Sequence, residues 1–285
     1  MKTIYNKPQF LILVIFLCLT NNLLAQDNFV WFPDKTIYPH YIADPLQPTS
    51  SFRYIYFDKT TIDDTSDNRL DIKLGGTFLL AEWKSQDNSF PIFQLALDGG
   101  FHGQFDLKNK VDNIGWNGIY GLRLFYRLNN ELAFNIGSKH ISSHVGDELQ
   151  ERTGRTRINY TREEVLVGLV WSFNRNTDIY IDFAHAYDIG NEALQAPWRM
   201  QTGLQYQSPN ILWNQQFGWY AAVDISTFEE SDWDKNITLQ TGIYTDRDTR
   251  TWRIGVELYD GRAQISEFFQ DRERYIGVGI WYNLK

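Results

Sequence analysis

Apolar and polar side chains alternate through most of the chain, and residues 132–144 show this pattern clearly. Leu132 and Phe134 share one face of the stretch, because successive side chains of a β-strand point to opposite sides. The same face carries His140 and Ser142 at its far end. The pattern predicts a strand whose apolar face ends in two polar groups.

About twelve alternating segments of this kind follow one another after residue 50. Each is close to the ~10 residues that a tilted strand needs to cross a bilayer. The predicted strands are residues 51–58, 70–83, 90–103, 116–128, 131–143, 163–174, 178–187, 198–206, 218–225, 236–245, 251–259 and 274–284.

The faces opposite the apolar ones carry charges of both signs at mid-strand. They include Lys73, Asp98, Arg123, Lys139, Glu164, Asp182, Arg199, Arg253 and Glu257. A soluble sandwich would bury its apolar faces, whereas a closed sheet of this size encloses a bore too wide for apolar side chains alone. We therefore expect an all-β fold, a single transmembrane antiparallel up-and-down β-barrel of about 12 strands. A soluble β-protein is the alternative.

Connection lengths alternate as well. The connections after every second predicted strand are mostly short, with residues 207–217 as a longer exception, and the connections after the other strands are longer. Outer-membrane barrels have short periplasmic turns and long external loops. With both termini in the periplasm, His140 and Ser142 lie at the external end of their strand. The sequence thus predicts a site at the outer rim of the barrel.

The first residues have the pattern of an export signal. A charged start with Lys2 precedes an apolar run at residues 10–19, which is too short for a spanning helix. We expect a cleavable signal peptide over residues 1–25. Residues 26–49 contain four prolines and are predicted to be an irregular periplasmic segment. The barrel then occupies residues 50–285.

The composition limits the kinds of partner that the exported protein is expected to bind. Cleavage removes Cys18, the single cysteine, so no disulfide is expected in the exported protein. It also removes Lys2 and Lys7, which changes the formal charge from −8 to −10 and disfavours nucleic acid. Export, 16% aromatic residues and strand patterning together predict a bacterial outer-membrane protein. The expected partners are outer-membrane lipids, phospholipid or lipopolysaccharide, and the barrel-assembly machinery.

A serine and a histidine two residues apart on one strand face are candidates for a nucleophile and its base. Such a pair needs a third group to orient the imidazole. If the apolar faces of the two neighbouring strands are level, His140 lies near Glu163, and Asn159 lies further along the same face. The candidate catalytic residues are therefore His140, Ser142, Asn159 and Glu163.

The same residues have a simpler interpretation as polar groups at the rim of a non-enzymatic barrel, either a pore or a structural or binding protein. In the following loop, Asp147 and Glu148 are weak candidates for metal ligands, and calcium is the candidate cofactor because carboxylates are hard oxygen ligands. Arg152, Arg155 and Arg157 form a basic cluster suited to lipid phosphates. A solvated loop is the alternative for both groups.

These local motifs resemble known lipid hydrolases. His140-Ile-Ser142-Ser143, followed by Arg157-Ile-Asn159, is similar to the His-x-Ser-Asn and later Asn arrangement of the outer-membrane phospholipase A family. The lipid A deacylase barrels, with His, Ser and Glu, look similar too. The resemblance implies a lipid-facing site with His140 as base, Ser142 as nucleophile, and Asn159 or Glu163 as the orienting group. Ser143 stands where the phospholipase family has Asn.

A resemblance over most of the chain is to the domain-of-unknown-function family numbered 1207. It is carried by Phe32-Pro33, by Ala43-Asp44-Pro45, and by residues 140–148 and 157–163. The resemblance implies an outer-membrane barrel and brings no activity with it. The local motifs give the hypothesis of a lipid acyl-ester hydrolase, a serine esterase of the phospholipase or lipid A deacylase type, and a non-enzymatic barrel is the alternative.

Overall fold

The structure is a computed structural model that describes residues 28–84, 90–247 and 249–284. The predicted signal peptide, residues 1–25, lies outside the described residues. The strands are β1 (Phe29–Trp31), β2 (Ser50–Thr60), β3 (Asn68–Lys84), β4 (Ile92–Asp106), β5 (Asp112–Arg127), β6 (Leu132–Val145), β7 (Thr161–Asn174), β8 (Thr177–Ile189), β9 (Trp198–Gln207), β10 (Gly218–Phe228), β11 (Lys235–Arg247), β12 (Arg250–Arg262) and β13 (Arg272–Leu284). Helix α1 spans Asp147–Thr153, and 3₁₀ turns span Glu229–Ser231 and Ser266–Phe268.

Strands β2 to β13 form a closed antiparallel barrel. Each pairs with its neighbours in the chain, and β2 pairs with β13 to complete the ring. Closure gives every strand of the ring a neighbour on both sides, which is the condition for strands in a membrane. The predicted barrel of about twelve strands is confirmed.

The additional strand β1 lies in the segment that was expected to be irregular. It pairs with the end of β3, where Trp31 lies opposite Ala81. Strand β3 has 17 residues and β2 has 11, and β2 pairs only with residues 68–73 of β3. Strand β1 therefore supplies backbone partners for a part of β3 that β2 does not reach.

The two faces of the sheet have the predicted opposite character. Large apolar side chains point outward, so that Ile136 and Val278 are each 51% exposed. The ionic side chains point into the bore, and Arg53, Arg69 and Arg162 are fully buried there. The inverted arrangement, apolar outside and ionic inside, is confirmed and is typical of membrane barrels.

The buried charges of the bore are paired with one another. Arg53 contacts Asp71 at 2.6 Å and also Glu257, and the His102 ring nitrogen Nε2 lies 2.7 Å from Asp71. Burying an unpaired charge is costly, whereas a well-bonded pair is tolerated. Opposite charges from β2, β3, β4 and β12 thus fill one side of the bore.

The chain between β1 and β2 runs inside the barrel. Tyr38 stacks on Phe125 of β5 with 4.9 Å between ring centroids, and Tyr41 stacks on Tyr180 of β8 at 3.7 Å. The Tyr41 hydroxyl donates a hydrogen bond of 2.8 Å to Asp182. Residues 36–49, called the inner segment below, therefore occupy the bore; the periplasmic assignment of residues 26–49 stays a prediction.

The inner segment also holds cations of the barrel wall through its backbone carbonyls. Lys73 Nζ donates to the Pro45 carbonyl at 2.6 Å, and Lys139 Nζ donates to the Leu46 carbonyl at 3.1 Å. These lysines lack a carboxylate within ion-pair distance in the described part of the chain. The inner segment therefore completes the polar packing of the bore.

The two ends of the barrel differ. Both described ends of the barrel chain lie with the short connections, since Ser50 pairs with Tyr282. The opposite end, called the long-loop end below, carries residues 61–67, 107–111, 146–160, 190–197, 229–234 and 263–271. The second of these connections is shorter than expected, because β4 and β5 continue beyond their predicted bounds. Among the described residues, no helix is both long and apolar enough to cross a bilayer.

Replacing Arg53 by Ala should destabilise the barrel by about 3–5 kcal/mol, because Asp71 and Glu257 would remain buried without their cation. Urea unfolding of the protein in detergent micelles measures this free energy. Arg274→Ala is the matched control: its ion pair with Asp58 is 55% and 60% exposed, and it should change stability by less than about 1 kcal/mol. Equal effects of the two variants would contradict the account of the bore.

Candidate active site on the outer face

The register between β6 and β7 places two predicted site residues opposite each other. His140 pairs with Glu163, and Phe134 pairs with Leu169. Both pairs point outward, because the alternate residues of β6, such as Asn135 and Ile141, are buried in the bore. The expected register, which followed from level apolar faces, is confirmed.

His140 and Glu163 form a hydrogen-bonded pair. The imidazole nitrogen Nδ1 lies 2.7 Å from Glu163 Oε1, and the two side chains are 15% and 22% exposed. An ionised carboxylate only accepts hydrogen bonds, so Nδ1 carries the proton. In the neutral imidazole, Nε2 is then an acceptor, which is the state that a general base requires.

Tyr120 of β5 fixes the ring from the other side. Its ring stacks on the His140 ring at 4.3 Å between centroids and 19° between planes. Tyr120 pairs with His140 in the sheet and is itself 53% exposed. The sequence placed Tyr120 on an apolar face, but only the register between β5 and β6 shows that it contacts the histidine.

Ser142 follows on the same face, nearer to the long-loop end. It pairs with Gly118 of β5 and Thr161 of β7. In the described part of the chain no hydrogen bond joins Ser142 to His140, whose backbone lies about 6.6 Å away along the strand. Catalytic hydrogen bonds are often long or poorly aligned before substrate binds, so this geometry alone does not rule out the pair.

Gly118 leaves the serine hydroxyl accessible. A Cβ at this position would lie 3.2 Å from Ser142 Oγ and 3.5 Å from the ring of Trp116. The missing side chain therefore leaves an opening between Trp116, Tyr120 and the serine. The sequence pattern does not single out Gly118, because its importance depends on the pairing of β5 with β6.

Asn159 lies outside this group. It has a left-handed backbone, with φ of 57°, and its backbone N–H donates to Glu267 Oε1 at 3.1 Å. The same buried carboxylate accepts the N–H groups of Ile158 and Tyr160. The structure thus brings His140 and Glu163 together, places Ser142 beside them, and holds Asn159 through its backbone. Glu267 is more than 100 residues away in the chain, and nothing in the sequence pattern points to it.

The backbone that leads from Asn159 into β7 is held by hydrogen bonds on its buried side. The Tyr160 hydroxyl donates to Glu230 Oε1 at 3.0 Å. Burial, together with the Glu230 charge, raises the pKa of Tyr160 to about 12, so the hydroxyl keeps its proton near neutral pH. Glu230 and Glu267 together hold the backbone that leads into Glu163.

Ser143, the residue next to the candidate nucleophile, points the opposite way. Its hydroxyl donates to the Trp116 carbonyl at 3.2 Å and accepts from the Glu267 N–H at 2.8 Å. The side chain is 1% exposed. Ser143 therefore fixes the loop before β13 inside the barrel and does not reach the outer face.

Asp147 and Glu148, the candidate metal ligands, form the first turn of α1 and are exposed. Among residues 28–84, 90–247 and 249–284, no group of three or more His, Cys, Asp and Glu side chains is arranged to hold a metal ion. Calcium therefore stays a prediction without an identified ligand set.

Solved outer-membrane structures share the fold. Outer membrane phospholipase A from Escherichia coli matches with a TM-score of 0.59 and 12% identity over 85% of this chain and 94% of that chain. The Salmonella typhi outer membrane phospholipase (OMPLA) dimer with bound calcium matches with a TM-score of 0.60 and 11% identity over 89% and 94%. LpxR from Salmonella typhimurium matches with a TM-score of 0.43 and 9% identity over 83% and 100%. At these identities the likeness to the two phospholipase structures establishes the fold alone.

The family model described as "Protein of unknown function (DUF1207)" matches residues 5–284. The chain belongs to this family, as its sequence motifs indicated. A comparison with curated proteins gave no match.

Replacing Glu163 by Leu should remove the preference of His140 for the Nδ1–H tautomer, because the carboxylate that accepts this proton is lost. The ¹⁵N chemical shifts of the imidazole in selectively labelled protein report the tautomer, and His140→Asn identifies its resonances. Thr161→Val on the same face of β7 is the matched control and should leave the shifts in place. An unchanged His140 spectrum in Glu163→Leu would show that the pair does not form.

Proposed function

We propose that this DUF1207 barrel lies in the bacterial outer membrane and hydrolyses acyl esters of membrane lipids. The observation that carries the proposal is the 2.7 Å hydrogen bond between His140 Nδ1 and Glu163 Oε1 on the outward face. Ser142 lies next to this pair on the same face. A nucleophile, a base and an orienting carboxylate are the parts that acyl transfer by serine requires.

In the proposed reaction the Ser142 hydroxyl attacks the ester carbonyl carbon, and His140 Nε2 accepts the hydroxyl proton. The imidazolium then gives this proton to the departing alcohol, which leaves an acyl ester on Ser142. Water attacks that ester and gives a proton to His140, which returns it to the serine as the fatty acid leaves. Glu163 holds the imidazole and stabilises its charged form in both steps.

The surroundings of the site suit a lipid ester. Phe134 and Ile136 lie below His140 on the same face, and they are 39% and 51% exposed. These side chains belong to the outward apolar band, so Ser142 lies where this band meets the polar long-loop end. The ester bonds of a lipid occupy that boundary between acyl chains and headgroups. The substrate class is therefore phospholipid or lipopolysaccharide.

The packing of the bore supports this function over that of an open pore. The inner segment stacks on the barrel wall through Tyr38 and Tyr41, and Arg162 bridges Glu164 and Glu230 nearer the long-loop end. These groups fill the bore with fixed contacts. The outward face, not the bore, presents the partly exposed cluster of His140, Ser142 and Glu163.

Replacing Ser142 by Ala should lower acyl release by about 10³-fold or more, because the nucleophile is lost while the sheet pairing of β6 remains. The measurement is fatty acid release by purified barrel in mixed micelles of detergent with phospholipid or lipopolysaccharide. Parallel assays with calcium and with chelator test the metal requirement. Heat-modifiable migration on gels reports whether the barrel is folded.

Ser138→Ala is the matched control, because Ser138 lies on the same face, two residues from His140 on its other side. It should retain activity. Loss of activity in Ser138→Ala, with Ser142→Ala unaffected, would move the nucleophile to Ser138. No release by the folded wild-type protein under any of these conditions would overturn the proposal.

Replacing Gly118 by Val should reduce kcat/KM by about 10-fold or more, because its Cβ lies 3.2 Å from Ser142 Oγ and its methyl groups would cover the hydroxyl. Valine is otherwise well suited to a strand, so the barrel should still fold. Gly76→Val is the control, since a Cβ there meets nothing within 4 Å. Equal kinetics for Gly118→Val and the wild type would exclude approach of substrate through this opening.

A further inference from the structure

The three arginines of the loop between β6 and β7 have different partners. Arg152 pairs with Asp64 at 2.6 Å and Asp112 at 2.7 Å, and Arg155 pairs with Asp271. Arg157 is exposed and forms no ion pair within the described ranges; its guanidinium hydrogen-bonds to His144 Nδ1. One positive charge of the cluster is therefore not neutralised by a carboxylate.

The contact with His144 places this charge beside the candidate site. His144 lies two residues after Ser142 on the same outward face of β6, and its ring packs against Trp116 with 4.3 Å between centroids and 32° between planes. Trp116 also lines the opening at Gly118. An arginine only donates hydrogen bonds, so His144 Nδ1 accepts here and the imidazole is neutral. The guanidinium is thus held by a residue two positions beyond the serine on the outward face, without a competing positive charge on the histidine.

We propose that Arg157, positioned by His144 and Trp116, binds the phosphate group of a membrane lipid at the outer rim. A guanidinium has five N–H donors in a planar fork that matches phosphate oxygens in pairs. The bond to His144 leaves donors of this fork free. Placing the lipid ester at Ser142 rests on the proposed function, whereas binding of the phosphate does not.

The ion pairs of the cluster explain why Arg157, rather than Arg152 or Arg155, would bind the phosphate. A phosphate at Arg152 or Arg155 would have to displace a carboxylate or bind beside its negative charge. Arg157 has only the neutral imidazole of His144 as its partner, and it could release or keep this partner when it binds phosphate. The phosphate can be that of a glycerophospholipid or that of lipid A, since both present the same oxygens to the guanidinium.

The test measures binding with the nucleophile removed, so that no hydrolysis occurs. Ser142→Ala barrel in detergent micelles is titrated with dihexanoyl phosphatidic acid, with dihexanoylglycerol, which lacks the phosphate, and with detergent-dispersed lipid A. Adding Arg157→Gln should weaken binding of a phosphate-bearing lipid about 10-fold or more, the loss expected for a hydrogen bond to a charged group, and leave dihexanoylglycerol unchanged. The lipid whose binding depends on Arg157 identifies the source of the phosphate.

Arg152→Gln and Arg155→Gln are the matched controls and should bind both phosphate lipids as the parent does. Unchanged binding of both lipids in Arg157→Gln, or an equal loss in all three arginine variants, would overturn the inference. The two proposals fail separately. If phosphate binding depends on Arg157 but the wild type releases no fatty acid, the phosphate site stands and the hydrolase proposal is wrong. If the wild type releases fatty acid but Arg157→Gln binds the phosphate lipids as the parent does, the hydrolase proposal stands and the phosphate site is wrong.

Discussion

The pairing of buried charges in the bore is the condition on which the rest of the structure depends. Arg53, Arg69 and Arg162 are fully buried, and each contacts at least one carboxylate. Because the ionic groups satisfy one another inside, the outer surface of the barrel is free to be apolar. Ring closure between β2 and β13 supplies the matching condition for the backbone, whose hydrogen bonds are then formed within the sheet.

The inner segment also compensates buried positive charges of the barrel wall. Lys73 and Lys139 find backbone carbonyls of Pro45 and Leu46 where the wall offers no carboxylate within ion-pair distance among the described residues. A carbonyl oxygen compensates a buried ammonium less completely than a carboxylate does, but it satisfies its donors. The barrel wall and the inner segment therefore form one polar core, and neither is complete alone.

Much of this architecture is readable from the sequence, because a strand in a membrane barrel has a strict two-residue period. That period gave the outward face of His140 and Ser142, and levelling the apolar faces gave the pair with Glu163. The path of the inner segment was not readable, since prolines exclude regular structure without saying where the chain goes. The sequence pattern does not predict strand β1 either, because its three residues pair only where β3 extends beyond β2.

The contacts that complete the site depend on strand register or on distant loops. The two-residue period of the sequence predicts neither the register nor the loop contacts. Tyr120 and Gly118 acquire their places only through the pairing of β5 with β6. Glu267 reaches the residues before β7 from the loop before β13, and its carboxylate satisfies three successive N–H groups. Buried donors of this kind need a partner, but the sequence does not indicate which residue supplies it.

The adjacent serines of β6 show how the pleat divides structure from candidate chemistry. Ser143 points inward, where it bonds to the Trp116 carbonyl and the Glu267 N–H and is 1% exposed. Ser142 points outward beside His140, where no such bonds occupy its hydroxyl within the described chain. A hydroxyl committed to two backbone groups cannot act as a nucleophile without loosening the loop that it holds. The alternation of the strand therefore assigns the anchoring role to one serine and leaves the other available for chemistry.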